Sequence, residues 1–324
     1  MMNPSISVIM SVYNEPVNWL SKSIDSILKQ SYHDFEFIII NDNPSQEEIK
    51  SFLTSISEID KRIIIIENPK NIGLAASLNK GIEIARGNYI ARMDADDISL
   101  PTRFMKQINF LEKNPNIGIC GSFVRTINEK DIRKKKLTLQ QSNIDLKNAI
   151  LFFCPFVHPS VMIRRELLIE NKYDTNCRVA QDWDLWKTLS TKTDFANIPE
   201  VLLLYRIHSN QAPKKAGKAK ALESRRYFAS KDVKALQLPT NIASLYVSNS
   251  CHVRLPEKDL DTLYHYLTHI EKLNNSYKYI ISKYIRKKIK FSFFRSIWNP
   301  LSKENPIMYF KACATELFRA TIKF

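Results

Sequence analysis

The chain has 324 residues, 44% of them hydrophobic and 25% charged, with a net charge of +15. This is long and apolar enough for one large core plus a smaller module, and it excludes disorder, collagen and a coiled coil. The six glycines form neither GxGxxG nor GxxxxGK(S/T), so a Rossmann dehydrogenase and a P-loop NTPase are also out.

In chain order, Ile6–Val12 is short, apolar and mostly β-branched, and reads as a strand buried on both faces. Leu20, Ile24, Ile27 and Leu28 then recur at helical spacing after Pro16. Phe35–Ile40 reads as a second strand, followed by a helix through Ile49, Phe52, Leu53 and Ile56. The unit repeats as strand 62–66, helix 74–84 and strand 89–93, with a further helix starting near Pro101. Alternation of this kind predicts an α/β fold: a parallel sheet with helices on both faces, whose ligand crevice lies beyond the carboxyl ends of the strands. Residues 118–127 read as another strand and Arg133–Lys136 as a solvated basic loop.

Polar clusters follow each early strand: Tyr13-Asn14-Glu15, Asn41-Asp42-Asn43, Asn68 to Asn71, and Asp94-Ala95-Asp96-Asp97. Three carboxylates within four residues repel one another unless a cation joins them. Hard oxygen ligands suit Mg²⁺ or Mn²⁺. The alternative is a helix cap with solvated neighbours.

Ser7 to Asn14, Asn41-Asp42, Asn71-Ile-Gly-Leu74 and Met93 to Asp97 with Pro101 resemble the family 2 glycosyltransferases over residues 5–208. The resemblance implies the GT-A fold, a Rossmann-like nucleotide-binding sheet, for residues 1–210. It further implies inverting sugar transfer from a nucleotide-diphosphate sugar, UDP-hexose or UDP-N-acetylhexosamine, to a hydroxyl of a glycan or lipid-linked acceptor in bacterial surface-polysaccharide synthesis. By the family pattern Asp96 is the principal metal ligand and Asp94 faces the ribose or the metal. Backbone groups of Val12 and Tyr13 border the base, Glu15 approaches the ribose, Asp42 accepts from a pyrimidine N–H, and Asn71 belongs to the same pocket. One departure is Asn43-Pro44-Ser45, where the family commonly has Asp-Gly-Ser; proline there removes a backbone donor.

Phe156 to Ile163 and Ala180-Gln-Asp182-Trp-Asp184-Leu-Trp186 resemble the acceptor-side motifs of the family. Attack by an acceptor hydroxyl needs a carboxylate to take its proton, and Asp182 occupies the position of the family's catalytic aspartate. Asp184 supports structure or the acceptor. Trp183 and Trp186, at helical spacing, read as core rather than as sugar-stacking rings, and His158 either borders the acceptor or is structural. Arg206 and His208 match a segment that closes over the diphosphate, which makes them phosphate or metal contacts.

Residues 1–210 hold 26 Lys+Arg against 25 Asp+Glu, whereas residues 211–324 hold 22 against 8. The second part reads as a mainly helical basic region. Tyr277 to Phe291 forms a basic amphipathic pattern with an aromatic flank, which suits an anionic membrane surface; a solvated face on an ordinary helical core explains the same periodicity. No nucleic-acid signature accompanies the charge. Five cysteines without a CxxC pair, no basic leader and no apolar run of spanning length predict a reduced, cytoplasmic protein, peripheral at the inner face of the membrane. A metal-dependent nucleotidyltransferase and a non-catalytic sugar-nucleotide or membrane-binding module are the competing functions.

Overall fold

The computed structural model describes residues 3–150, 154–177 and 180–209, with Thr240, Asn241 and Thr262. Contacts divide the chain into two units, Met1–Ser224 and Arg225–Phe324, and every element below belongs to the first. The basic helical pattern and membrane contact expected for 211–324 lie outside the described residues, apart from those three isolated positions.

Three βα units and a fourth strand come first: β1 (Ile6–Val12), α1 (Val17–Leu28), β2 (Phe35–Asn41), α2 (Glu47–Ile59), β3 (Ile63–Glu67), α3 (Leu74–Ile84) and β4 (Tyr89–Asp94). A two-residue β5 (Ile98–Ser99) leads to α4 (Arg103–Lys113), β6 (Ile117–Ile127), β7 (Arg133–Leu137) and α5 (Asn143–Ala149). A 3-10 turn at His158–Ser160, β8 (Met162–Arg164), α6 (Arg165–Glu170), α7 (Gln181–Leu189) and β9 (Asp194–Arg206) complete the unit.

The sheet order is β3-β2-β1-β4-β8-β6-β9-β5, with β7 pairing β6. The parallel arrangement expected from the alternation holds for β3, β2, β1 and β4. Beyond β4 the sheet is mixed: β8 runs antiparallel to both β4 and β6, while β6 and β9 are parallel. Arg133–Lys136 is not a loop but an antiparallel strand, with Arg125 opposite Lys136 and Ile127 opposite Arg133. All four basic residues are exposed. Charges on both faces of an edge strand leave no apolar alternation to read, and they also discourage pairing with another chain.

Two apolar layers sandwich the sheet. Val8, Met10, Phe37, Ile39, Ala91 and Met93 pack with α1, α2 and α4 residues such as Ile24, Leu53 and Phe104. Ile9, Ile38, Ile40 and Ile90 point the other way, toward Leu78 of α3 and Leu185, Trp186 and Leu189 of α7. Strands buried on both sides are therefore largely apolar, with Ser7, Glu36 and Arg92 as buried exceptions, and polar side chains gather where they end. In β9, Pro199 and Glu200 are exposed at a register shift against β6, as expected for a proline that cannot donate to a ladder.

Candidate active site

At the end of β1, Val12 is buried and its carbonyl accepts from the Asp42 N–H at 2.8 Å. Tyr13 is 45% exposed. Glu15 does not reach outward: its Oε2 accepts from the N–H groups of Tyr13 (2.8 Å) and Asn14 (3.1 Å). Burial, chiefly, and the nearby Asp96 carry its carboxyl above the ordinary glutamate range, against those two backbone donors.

Asp42 is buried and anchors the loop between β3 and α3. Its Oδ1 accepts from Asn68 Nδ2 (2.8 Å) and Ile72 N (2.9 Å), and its Oδ2 from Gly73 N (2.9 Å). Gly73 has φ +88°, a conformation that favours glycine, and starts α3. Three of the carboxylate's acceptor positions are thus used internally, and Oδ2 retains one for a ligand N–H. Asn71 is exposed on this loop. The Pro44 departure costs no hydrogen bond: the turn is closed by Asn43 N on Asn41 Oδ1 and Gln46 N on Asn43 O.

The carboxylates past β4 form one cluster: Asp94, Asp96 and Asp97 each offer an oxygen within 4.8 Å of the others. Burial and mutual repulsion raise Asp96 and Asp97, the latter well above the ordinary range and fully buried. Asp97 Oδ1 accepts from Arg206 N at 2.7 Å, while its Oδ2 is buried with no partner among the described residues. His208 Nε2 lies 2.9 Å from Asp96 Oδ2, and its Nδ1 is buried without a described partner. Three hard oxygens, an imidazole and an unsatisfied acid oxygen fit a divalent cation. Asp97, absent from the ligand set expected from sequence, belongs to this group.

Arg206, expected as a phosphate or metal contact, has its guanidinium engaged inside the protein. It is fully buried, donating Nε to the Asp96 carbonyl (2.6 Å) and Nη1 to Asn128 O (3.1 Å) and Asp131 Oδ1 (2.5 Å). Its guanidinium lies 4.9 Å from the Trp19 ring, which also packs 5.0 Å from the His208 ring. Arg206 therefore braces the acidic loop from behind, because β6–β9 pairing sets it opposite Ile127 at the sheet edge.

Asp182 stands in the first turn of α7, after Ala180 in the left-handed region (φ 61°). Cys154 Sγ donates to its Oδ2 at 3.2 Å. Burial raises its carboxyl, opposed by that thiol, by the Trp183 N–H and by Arg92; a raised pKa makes a carboxylate a better proton acceptor near neutrality. Trp186 is fully buried, edge-on to Phe156 at 5.5 Å and His158 at 6.0 Å. Trp183 is half-buried and donates to Ile150 O, so both rings are core or core margin, as their spacing predicts. Asp184 is buried. His158 pairs with the Tyr173 hydroxyl at 2.7 Å, and burial together with Arg92 holds its imidazole well below the usual range, which favours the neutral ring.

Arg92, Tyr173 and Cys154 were not singled out from sequence. Only Arg92 left a signal, as the one charge inside the apolar strand 89–93; Cys154 and Tyr173 reach the site through tertiary packing alone.

The sequence profile described as "Glycosyl transferase family 2" matches residues 7–171. An uncharacterized glycosyltransferase of Methanocaldococcus jannaschii is 40% identical over 210 residues, 63% of this chain and 71% of the relative. The O-antigen biosynthesis glycosyltransferase WbnJ of Escherichia coli is 34% identical over 215 residues, 65% and 83% of the two chains. Two solved structures share the fold. Staphylococcus aureus TarS 1–349 in complex with UDP-GlcNAc has a TM-score of 0.58 at 14% identity, covering 92% of this chain and 91% of that one. The mannosyltransferase PcManGT of Pyrobaculum calidifontis, in complex with GDP-Man and Mn²⁺, has a TM-score of 0.53 at 15% identity, covering 99% and 82%.

Proposed function

The chain belongs to glycosyl transferase family 2, and from that premise we propose that it is a metal-dependent inverting glycosyltransferase of polysaccharide biosynthesis. Its donor would be a UDP-sugar, held with the base against Tyr13 and the loop that Asp42 anchors. Asp94, Asp96, Asp97 and His208 would hold Mn²⁺ or Mg²⁺, which supplies charge stabilisation for the departing diphosphate. The acceptor hydroxyl oxygen forms a bond to the anomeric carbon, the bond from that carbon to the diphosphate oxygen breaks, and Asp182 takes the hydroxyl proton. The acceptor is a glycan or lipid-linked saccharide, and the basic residues 211–324 would meet an anionic membrane surface.

The observation that carries this reading is the carboxylate cluster past β4: Asp94, Asp96 and Asp97 bring oxygens within 4.8 Å of one another, with His208 Nε2 2.9 Å from Asp96 Oδ2. WbnJ supports the polysaccharide setting and TarS a UDP donor, whereas PcManGT takes GDP-Man, so the base rests on Asp42.

The test is transfer from a panel of UDP- and GDP-sugars to saccharide acceptors with Mn²⁺ or EDTA, read by mass spectrometry. Expected are nucleoside diphosphate and an elongated acceptor of inverted anomeric configuration, lost with EDTA. Asp182→Asn should lower kcat by about 10²–10⁴-fold with nucleotide affinity retained. Release of pyrophosphate, or full transfer by Asp182→Asn, overturns the proposal.

A further inference from the structure

Asp42 ends a chain of hydrogen-bonded side chains that crosses from β2 to α3. Asn68 follows β3 at the point where Asn41 stands opposite Glu67 in the parallel register, and its N–H donates to the Asn41 carbonyl at 2.9 Å. Its side chain is fully buried and engaged at both ends of the amide. Nδ2 donates to Asp42 Oδ1 at 2.8 Å and to Ser77 Oγ at 3.0 Å, and Oδ1 accepts from Lys80 Nζ at 2.7 Å. Ser77 and Lys80 are three residues apart on α3 and so share a face of the helix; Ser77 is fully buried and Lys80 half-buried. The loop from Asn68 to Gly73 is thus tied at both ends to one carboxylate, since Ile72 N and Gly73 N also donate to Asp42.

The direction of this chain follows from its last member. A carboxamide can turn over, exchanging donor for acceptor, with no change of shape. Lysine offers donors only, so Lys80 draws the Asn68 oxygen to its side and leaves the NH2 group facing Asp42. Turned over, the amide would set oxygen against carboxylate and NH2 against ammonium, leaving buried groups unpaired.

We propose that Asn68 and Lys80 are positioning residues that set the base specificity of the donor pocket through Asp42. With Oδ1 occupied by Asn68 and Ile72, the carboxylate cannot rotate, and Oδ2, which accepts from Gly73 N, keeps one acceptor position for the base. Uracil presents an N–H at ring position 3, whereas cytosine presents a lone pair at the same place. A fixed acceptor takes the first and rejects the second, because the mismatch leaves two lone pairs face to face in a site closed to water.

The proposal rests on the reading of Asp42 as the acceptor for a base N–H, and one measurement separates the two. Affinities of UDP and of CDP for the full-length chain are compared by isothermal titration calorimetry at one saturating Mn²⁺ concentration, so that the diphosphate and metal contacts cancel in the ratio. The wild-type chain should prefer UDP. Lys80→Met keeps the length of the side chain and removes its donors; it should lower the UDP-over-CDP ratio by about three- to tenfold, chiefly by weakening UDP. Lys80→Arg, which restores donors, should return the ratio toward wild type, and Asn68→Ala should lower it at least as far as Lys80→Met. If Lys80→Met does not fold, Lys80→Leu makes the same comparison. A merely structural role would weaken both nucleotides equally. An unchanged ratio in the lysine variants would therefore overturn this inference and leave the Asp42 reading standing. A wild-type chain that binds UDP no better than CDP would overturn the Asp42 reading itself, and this inference with it.

Discussion

In the parallel half of the sheet, residues reach the candidate site by ending a strand. Glu15, Asp42 and Asp94 to Asp97 follow β1, β2 and β4 within three residues. In the mixed half they arrive from scattered segments: Cys154 from a loop, Tyr173 from the α6–α7 connection, Asp182 from the start of α7 and Arg206 from the end of β9. The donor-side geometry is therefore set by local chain direction and the strand register. The acceptor-side geometry depends on how α7 packs against the sheet, and so on a core some distance from the carboxylate that it positions.

The strongest way to break that contrast is Trp186→Ala. The indole is fully buried among Phe156, His158 and the second apolar layer, four residues after Asp182 on the same helix. Removing it should cost about 3–5 kcal/mol, measured by denaturant unfolding. Under conditions where the chain remains folded, kcat should fall much more than nucleotide affinity. Equal losses in both would show that the two halves do not depend separately on their supports.

The reciprocal test lies at the other end of β4. A Cβ on Gly87 would sit 2.5 Å from the Ser7 nitrogen and 2.6 Å from the Ile6 carbonyl carbon. Backbone atoms cannot yield as a side-chain tip does, so Gly87→Ala should destabilise by about 1–3 kcal/mol. Because the strain sits before the strand and the carboxylates after it, Mn²⁺-dependent UDP affinity at low temperature should stay close to wild type. A large affinity loss would mean that register error travels along β4.

The same contrast explains what could be read from the residues. Strands buried on both faces are recorded as runs such as Phe35–Ile40, and helix 74–84 matches the structure to the residue. The acidic triad was legible because its members are neighbours in the chain, and Asp182 because the motif around it resembles a family pattern. Strand β8, three residues long, had no periodicity to find, and β7 had charge where alternation was needed. Arg206 illustrates a different limit: a basic residue after a strand suggests a phosphate ligand, yet its partners Asn128 and Asp131 lie some 75 positions earlier. The Cys154 thiol on Asp182 and the Tyr173 hydroxyl on His158 are likewise contacts made only by folding.

The smallest expected effect sharpens the comparison at the edge of the parallel half. Asp60 ends α2 and accepts from Arg62 three times: from the backbone N–H (3.0 Å), from Nε (3.0 Å) and from Nη2 (2.6 Å). The Arg62 guanidinium holds the Asp60 carboxyl below the usual range, against a partial desolvation. A folded-state pKa depressed in this way gives stability that is present above the unfolded value, near 3.9, and lost as pH falls through the folded one. Both side chains are partly solvated, so Asp60→Asn should cost only about 0.2–1 kcal/mol at pH 7. Arg62 would still lie 4.4 Å over the Phe35 ring and donate to Leu28 O, which limits the loss. Urea midpoints of the two chains should therefore differ at pH 7, begin to approach one another near the unfolded value and converge only below the depressed folded one. A difference that persists undiminished in acid would assign Asp60 to hydrogen bonding rather than charge, while activity, set at the opposite ends of these strands, should not change at either pH where the chain is folded.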